Sequence, residues 1–251
     1  MARCLPAGYF KCFNFLIERN MPIEILAYEE TPLGILCLRR RNLVSDPDVS
    51  VTEVTLNHEF LMSSYLTESE RELSTRGLQR VRQTSELSVL VGGFGLGYTA
   101  NEVLKSDAVA RVEVIEFLPQ VIGWFNDDLI PLSSKLKSDD RLVVTEDDVY
   151  RRLTDSPNST FDLIVIDVDH SPQDVLGPQS RDFYGPAGMA RVGEHLKPDG
   201  VLGIWSYAED TPLLANMREV FSDVEVEQVT VWNDLINVEQ TDWLFFGRRM
   251  G

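Results

Sequence analysis

A regular alternation of short apolar runs with helix-like segments, between residues 87 and 221, most constrains what this chain can fold into. The nearly continuous apolar run FDLIVI, at residues 161–166, is typical of a strand buried on both faces. The alternation predicts an α/β fold with a doubly wound, Rossmann-like parallel sheet and right-handed crossovers. The predicted strands are Leu87–Val91, Val112–Glu116, Leu142–Thr145, Leu163–Asp167 and Val201–Trp205. The predicted helices are Gly97–Lys105, Leu118–Asp127, Val149–Thr154, Asp182–Leu196 and Pro212–Phe221.

The alternation stops towards both ends of the chain. Near the C-terminus, two β-like runs, Val224–Val231 and Trp243–Phe246, have no clear helix between them. This pattern predicts a closing antiparallel hairpin. Before the alternation begins, a helix is predicted from Glu68 to Gln83, with Thr67 and Glu70 as a capping box at its start.

The first third of the chain favours β structure. Turn residues separate three β-like runs, which predict a small β unit of about three strands: Ile23–Glu29, Ile35–Arg40 and Val49–Leu56. We therefore expect an N-terminal extension and β unit over residues 1–66 and a Rossmann-like domain over residues 67–251. Residues 1–20 lack the small-residue cleavage site of a signal peptide, and we interpret them as an upstream extension or a misassigned start.

Composition limits the partners and the compartment. A net charge of −17 argues against nucleic acid as a partner and would attract a cationic small molecule, although the same charge also serves solubility. No window holds about 18 uninterrupted apolar residues, so no membrane span is expected. The cysteines, Cys4, Cys12 and Cys37, form no C-x-x-C pair. This favours a reducing compartment, the cytoplasm, and argues against a zinc site.

The stretch LVGGFGLGYTA, residues 90–100, follows the first strand of the alternation. Gly93, Gly95 and Gly97 alternate, as they do in many loops that hold S-adenosylmethionine, and they allow a tight turn that a ligand can approach. Gly95, Gly97 and Ala100 also fit the dinucleotide fingerprint G-x-G-x-x-G/A. A tight turn without a ligand is a third interpretation, and the glycines alone leave the three open.

Acidic residues follow the next two strands. Glu116 ends the second strand, where a carboxylate can accept hydrogen bonds from both ribose hydroxyls of a nucleoside. Asp148 follows the third strand, where it can accept a hydrogen bond from an adenine amino group, serve as a helix N-cap, or do both. Each acid alone is weak evidence, but their successive positions point to one ligand.

The fourth strand delivers Asp167, Asp169 and His170 to the same edge of the sheet. Such a cluster can orient an amine nucleophile and accept its proton, with Asp169 and His170 as the better base candidates. A Mg²⁺ site and a simple Asp/Ser-Pro turn are the alternatives, and no second acidic cluster completes the metal site. We therefore expect no metal.

The order of these signals from Leu87 to Ser206 resembles that of the spermidine synthases, within the class I methyltransferase fold. The segments that carry the resemblance are VLVGGFGLG, VEVIEFLPQVI, FDLIVIDVDHSP and HLKPDGVLGIWS. The resemblance implies an adenosyl sulfonium donor, a polyamine acceptor, a catalytic Asp that takes the amine proton, and the pairing of two copies that is common among these synthases.

Two positions depart from the synthase pattern. Gly95 stands where the synthase loop carries an Asp that holds the amino end of the aminopropyl donor. A D-S-S-D pattern is replaced by Asp167-Val168-Asp169-His170, which shifts the second acid and adds a histidine. The first departure puts the identity of the donor in question, and the second alters the catalytic segment.

The leading hypothesis is a spermidine synthase-like transferase that moves an aminopropyl group from decarboxylated S-adenosylmethionine to a polyamine amine. No tightly bound cofactor is expected, because the donor is a co-substrate. In this hypothesis the donor contacts Gly93, Gly95, Gly97, Glu116 and Asp148, and catalysis falls to Asp169, with His170 and Asp167. The alternatives are a methyltransferase that uses S-adenosylmethionine and a non-catalytic nucleoside-binding homologue; an NAD dehydrogenase ranks last.

Overall fold

Two β-sheets organise the protein. In this computed structural model, which describes residues 23–174, 180–209 and 211–250, a four-stranded sheet precedes a seven-stranded one. The strands are β1 Glu24–Thr31, β2 Gly34–Asn42, β3 Ser50–Leu56, β4 Glu59–Ser63, β5 Leu87–Gly92, β6 Val109–Glu116, β7 Leu142–Glu146, β8 Phe161–Ile166, β9 Leu196–Ser206, β10 Phe221–Asn233 and β11 Val238–Arg249. The helices are α1 Glu68–Arg80, α2 Tyr98–Leu104, α3 Pro119–Asn126, α4 Ser133–Lys137, α5 Val149–Thr154, α6 Ser180–Phe183, α7 Pro186–Glu194 and α8 Leu213–Val220.

The larger sheet confirms the predicted architecture. Its strand order is β10-β11-β9-β8-β5-β6-β7, and the strands from β9 to β7 all pair in parallel. Strand β11 lies antiparallel between β9 and β10, as the predicted closing hairpin requires. The strand order reverses direction at β5, whose neighbours are β6 and β8. Ligands bind at such a switch point, beyond the carboxyl ends of the strands.

The smaller sheet corrects the prediction of about three strands. It is an antiparallel meander of four strands in the order β1-β2-β3-β4. Strand β4 follows β3 after a turn in which Asn57 and His58 both have positive φ, 52° and 71°. Two such residues make the type of turn that suits a tight hairpin, usually encoded by Asn-Gly. Because histidine stands in place of the glycine, the sequence signal was weak.

Two helix predictions were also wrong in detail. The helix expected over 182–196 is divided into α6 and α7, because Gly185 is extended and Pro186 opens α7. Proline disfavours the helical conformation in the residue that precedes it, which explains the break at Gly185. The capping box at α1 is absent: the Thr67 side chain makes no capping hydrogen bond, and its backbone N–H donates to the Glu68 carboxylate at 2.9 Å. Glu70 is thereby available for another role.

The two sheets share one hydrophobic core. Leu36 and Leu38 of the small sheet belong to the same buried cluster as Leu73 of α1 and the strands of the large sheet. The indole N–H of Trp124 donates to the Glu29 carboxylate at 2.8 Å and ties α3 to β1. This packing sets the small sheet opposite the glycine turn after β5. The division into units at residue 66 stays a prediction.

No helix in the described ranges has both the length and the apolar character that crossing a bilayer demands.

Candidate active site

Two cavities meet at the carboxyl ends of β5 and β8. The smaller has a volume of about 290 Å³ and lies between the small sheet, Glu116 and the start of α5. The larger has a volume of about 1000 Å³ and extends towards α1 and the β10–β11 hairpin. The residues that line both cavities, which we call the junction, are Leu61, Met62, Gly93, Gly95, Asp167, Val168 and Asp169. A group carried by a ligand in the smaller cavity can therefore meet a second ligand in the larger one.

The glycine turn supplies bare backbone to the junction. Gly93 has φ +90°, and a β-carbon there would lie 2.5 Å from the backbone oxygen of Asp167. Gly95 has φ +52°, and its β-carbon would lie 3.1 Å from the sulfur of Met62. Gly93 needs glycine for conformation and for space, whereas at Gly95 the positive φ disfavours a side chain and Met62 would have to shift slightly to admit one. Gly97 lines neither cavity; it is the N-cap of α2, and a β-carbon there would meet Leu136 at 2.6 Å. Its predicted donor contact stays a prediction.

Glu116 fastens this turn to the end of β6. Its carboxylate accepts one hydrogen bond from the backbone N–H of Phe94 at 2.9 Å and another from that of Leu118 at 2.8 Å. Burial raises the pKa of Glu116, an effect that these backbone hydrogen bonds oppose. The side chain lines the smaller cavity. A carboxylate has further lone pairs, so Glu116 can hold the turn and still accept hydrogen bonds from a ligand.

Asp148 begins α5 and also lines the smaller cavity. Its carboxylate accepts hydrogen bonds from the backbone N–H groups of Tyr150 at 2.9 Å and Arg151 at 3.3 Å. The predicted N-cap is therefore confirmed. The contact with adenine stays a prediction, and its geometry is compatible with the cap because one oxygen accepts both backbone bonds.

Asp169 is held by a group of aromatic residues that the sequence did not reveal. Asp169 is 2% exposed, and the Tyr150 hydroxyl donates to its carboxylate at 2.6 Å. The hydroxyl oxygen of Tyr184 lies 3.5 Å from that of Tyr150, so the second phenol adjoins the one that contacts Asp169. Burial and the nearby carboxylate raise the pKa of both tyrosines, so both remain neutral donors. The signal that could have found them is the polar tip of each buried tyrosine, which needs a partner.

Asp167 belongs to a second group of carboxyl residues, with Glu70 of α1 and Asp242 of β11. All three line the larger cavity. Thr99 donates a hydrogen bond to Asp167 at 2.8 Å, yet burial raises the pKa of Asp167 to about 6, with a contribution from Asp242. Burial and the charge of Asp167 raise the pKa of Glu70 to about 8, and burial also raises that of Asp242. The sequence assigned Glu70 to a cap and passed over Asp242, because their approach is set by the tertiary fold.

A cation is the ligand that this second group favours. In the part of the chain that the structure describes, none of the three carboxyl groups forms an ion pair with a Lys or Arg side chain. Three crowded acids resist ionising together, and a bound cation relieves both the desolvation and the mutual repulsion. Within the described residues, no group of His, Cys, Asp and Glu has the arrangement of a metal site.

His170 lies apart from the junction. It is half-buried and lines only the larger cavity, while its backbone oxygen accepts from the N–H of Tyr207 at 3.0 Å. The structure thus brings Gly93, Gly95, Asp167 and Asp169 together at the junction. It sets Glu116 and Asp148 on one side of the junction and His170 on the other.

Comparisons with known proteins show what the chain is similar to. The chain matches the model of the spermine/spermidine synthase domain over residues 77–233. Polyamine aminopropyltransferase 2 of Streptomyces coelicolor is 30% identical over 65% of this chain and 32% of its own length. Putrescine N-methyltransferase 3 of Nicotiana tabacum is 24% identical over 53% of this chain and 35% of its own length. A crystal structure of spermidine synthase with the transition state analogue AdoDATO gives a TM-score of 0.69 at 18% identity, over 91% of this chain and 75% of that one.

These similarities bear on the fold and the family. The structural likeness shows a shared fold, which confirms the Rossmann-like prediction. The chain spans between a quarter and just under half of the length of the first curated relatives it matches.

Proposed function

The chain belongs to the spermine/spermidine synthase family, and on that premise we propose that it transfers an aminopropyl group from decarboxylated S-adenosylmethionine to a polyamine amine. The charge of the junction carries the proposal: its charged lining residues, Asp167 and Asp169, are both acidic. The tail of the decarboxylated donor brings a sulfonium and an ammonium, and both are attracted. The tail of S-adenosylmethionine would add a carboxylate near like charges, which disfavours it.

The adenosine end of the donor belongs in the smaller cavity. Glu116 would accept hydrogen bonds from the ribose, and Asp148 would accept one from the adenine amino group. The apolar side chains of Leu118 and Trp124 line the same cavity and supply contact area for the base. Gly93 would let the ligand approach the main chain next to the junction.

The acceptor amine belongs in the larger cavity. Its cationic end would be drawn to Glu70, Asp167 and Asp242 and brought to the junction. There the free nitrogen attacks the carbon next to sulfur, the carbon–sulfur bond breaks, and methylthioadenosine leaves. The extra proton on nitrogen passes to a carboxylate, for which Asp169 is our candidate, with Asp167 and His170 in support. Alignment and electrostatics carry most of the catalysis, because the sulfonium is already a reactive leaving group.

Methyl transfer from S-adenosylmethionine is the second candidate. Two observations favour it: the similarity to putrescine N-methyltransferases and the glycine at position 95, where the resemblance to synthases leads one to expect an acid. Both candidates use the same nucleoside cavity and the same acceptor, so the transferred group is what separates them.

A product assay decides between them. The protein is incubated with putrescine or spermidine and with each donor in turn, and the products are identified by mass spectrometry. We expect an aminopropylated amine from the decarboxylated donor, and we expect Asp169→Asn to lose this product while still binding methylthioadenosine. Methylated amine as the sole product would reject the first proposal in favour of the second. Nucleoside binding without either product would indicate a non-catalytic homologue.

We also propose the cytoplasm as the compartment, because Cys4, Cys12 and Cys37 form no C-x-x-C pair and their number is odd. Pairing with a second copy of the chain stays a prediction, as does the expectation that nucleic acid is not a partner. Sedimentation velocity at micromolar concentration measures the first, and a filter-binding assay with duplex DNA measures the second.

A further inference from the structure

The surroundings of Asp169 contain more than one hydrogen bond. Tyr150 and Tyr184 approach it from different elements, α5 and the turn between α6 and α7, and their two hydroxyl oxygens are 3.5 Å apart. Phe183 packs edge-on against both tyrosine rings, with ring centroids 4.8 and 5.1 Å away. The backbone oxygen of Tyr184 accepts from the amide of Asn216 at 2.8 Å. Both phenols are therefore fixed by packing, and not only by the hydrogen bond that Tyr150 donates to the carboxylate.

A fixed donor such as Tyr150, with the second phenol beside it, has a definite chemical effect on a carboxylate. It stabilises the anionic form and restricts the rotation of its plane, so that the remaining lone pairs keep one direction. Asp169 lines the junction, so the orientation of its carboxylate matters at the place where the two cavities meet. A weak base gains most from such alignment, because a misplaced proton acceptor loses much of its effect even at small displacements.

We propose that Tyr150 and Tyr184 are positioning residues that aim the Asp169 carboxylate at the acceptor nitrogen. This inference rests on the proposed function and extends it to residues that never touch the reacting atoms. Tyr150 has a second consequence, because it lies two residues after Asp148 on α5 and lines the smaller cavity. Helix α5 thus links Asp148, the proposed contact of the nucleoside, with Asp169, the proposed acceptor of the amine proton.

Removal of each hydroxyl tests the proposal. The variants Tyr150→Phe and Tyr184→Phe keep the rings and remove the donors, and Tyr28→Phe, at an exposed position on β1, is the matched control. We expect a drop of about tenfold in kcat for each single variant, a larger drop for the double variant, and a dissociation constant for methylthioadenosine within about twofold of wild type. The control should match wild type in all three measurements.

The pH profile separates positioning from mere structural support. Within the described residues, the titratable groups near Asp169 include Tyr150 from α5 and Tyr184 beside α6, and its own segment adds Asp167 and His170. Without the phenol donors, the anion of Asp169 is less stable. We therefore expect the acid limb of kcat/KM to move to higher pH in both tyrosine variants and to stay in place in the control.

The outcomes are distinct. The positioning role would be overturned if the variants keep kcat within about twofold of wild type. It would also be overturned if their activity falls only in proportion to a lower melting temperature while the acid limb of the pH profile stays in place. A wild-type protein that transfers neither group would instead overturn the proposed function. In that case the affinity for putrescine, measured calorimetrically with methylthioadenosine bound, still tests the inference. An unchanged affinity in Tyr150→Phe would then reject it, and a loss of about tenfold would support it.

Discussion

At the scale of single residues, Gly93 is the most tightly constrained position of the site. Its φ of +90° disfavours any side chain, and a β-carbon would collide with the backbone of Asp167. We expect Gly93→Ala to lower the free energy of unfolding by about 2–4 kcal/mol. Gly123, within α3, is the control, because a β-carbon added there would meet no atom within 4 Å. Gly123→Ala should stabilise the protein by about 0.5–1 kcal/mol.

Urea denaturation of the three proteins measures both effects. Equal losses of stability in the two alanine variants would contradict the assignment of a steric and conformational constraint to Gly93.

Glu70 makes a prediction about stability and pH. Its pKa in the folded protein is about 8 against an ordinary value of 4.5. The folded chain therefore keeps a proton that the unfolded chain releases, and the protein loses stability as pH rises from about 4.5 to 8. Glu70→Gln removes this loss. We expect the variant to match wild type near pH 4.5 and to exceed it by about 4 kcal/mol near pH 8, with little further gain above that pH.

Thermal unfolding at a series of pH values checks this expectation. Glu72→Gln is the control, since Glu72 is a half-exposed partner of Arg76 on the same helix and should shift stability by less than about 0.5 kcal/mol at any pH. A difference between Glu70→Gln and wild type that does not vary with pH would contradict the role given to burial and to Asp167.

At the scale of elements, Asp148 caps helix α5 and, in the proposed function, also binds the adenine. Asparagine also caps helices but carries no charge, whereas alanine does neither. We expect Asp148→Asn to keep the melting temperature within about 1 °C and to weaken methylthioadenosine binding by about tenfold. Asp148→Ala should lose similar affinity and about 1 kcal/mol of stability as well. Calorimetric titration beside thermal unfolding separates the two duties; full affinity in Asp148→Asn would remove adenine recognition from this residue.

The elements also show how far sequence reasoning reaches. Strand–helix alternation and buried apolar runs are local signals, so the parallel sheet and the closing hairpin were predictable. The same rule placed Glu116, Asp148 and Asp167 at one edge, because the carboxyl ends of parallel strands share that edge. Strand β4 and the break before α7 each depend on one turn. In the first turn His58 stands where glycine is usual, and in the second Pro186 interrupts the helix.

Contacts between distant elements were beyond the reach of such signals. Glu70 and Asp242 come from a helix before the sheet and from its last strand, and only packing brings them near Asp167. The grip of Tyr150 on Asp169 likewise spans two elements. The sequence pattern predicts which residues reach the edge of the sheet. Which of those residues touch one another is decided by side-chain packing in the folded core.

At the scale of the whole molecule, the net charge of −17 bears on how the acceptor arrives. A strongly negative protein attracts a polyamine electrostatically. Salt weakens this attraction at distances beyond the Debye length, which is about 10 Å at 0.1 M ionic strength. We expect the KM for putrescine to rise several-fold between about 50 and 500 mM NaCl. The affinity for neutral methylthioadenosine should change by less than about twofold. Steady-state kinetics and calorimetry at both salt concentrations measure this, and a salt-independent KM would argue against electrostatic capture.

The proposed reaction depends on two cavities that meet at acidic residues, one for the nucleoside and one for the amine. A crystal structure of the protein with methylthioadenosine and putrescine bound is its most direct test. We expect the ribose hydroxyls at hydrogen-bond distance from Glu116, the adenine amino group near Asp148, and the amine nitrogen at the junction beside Asp169. A nucleoside bound outside the smaller cavity, or an amine bound away from the Asp167–Asp169 segment, would contradict the account.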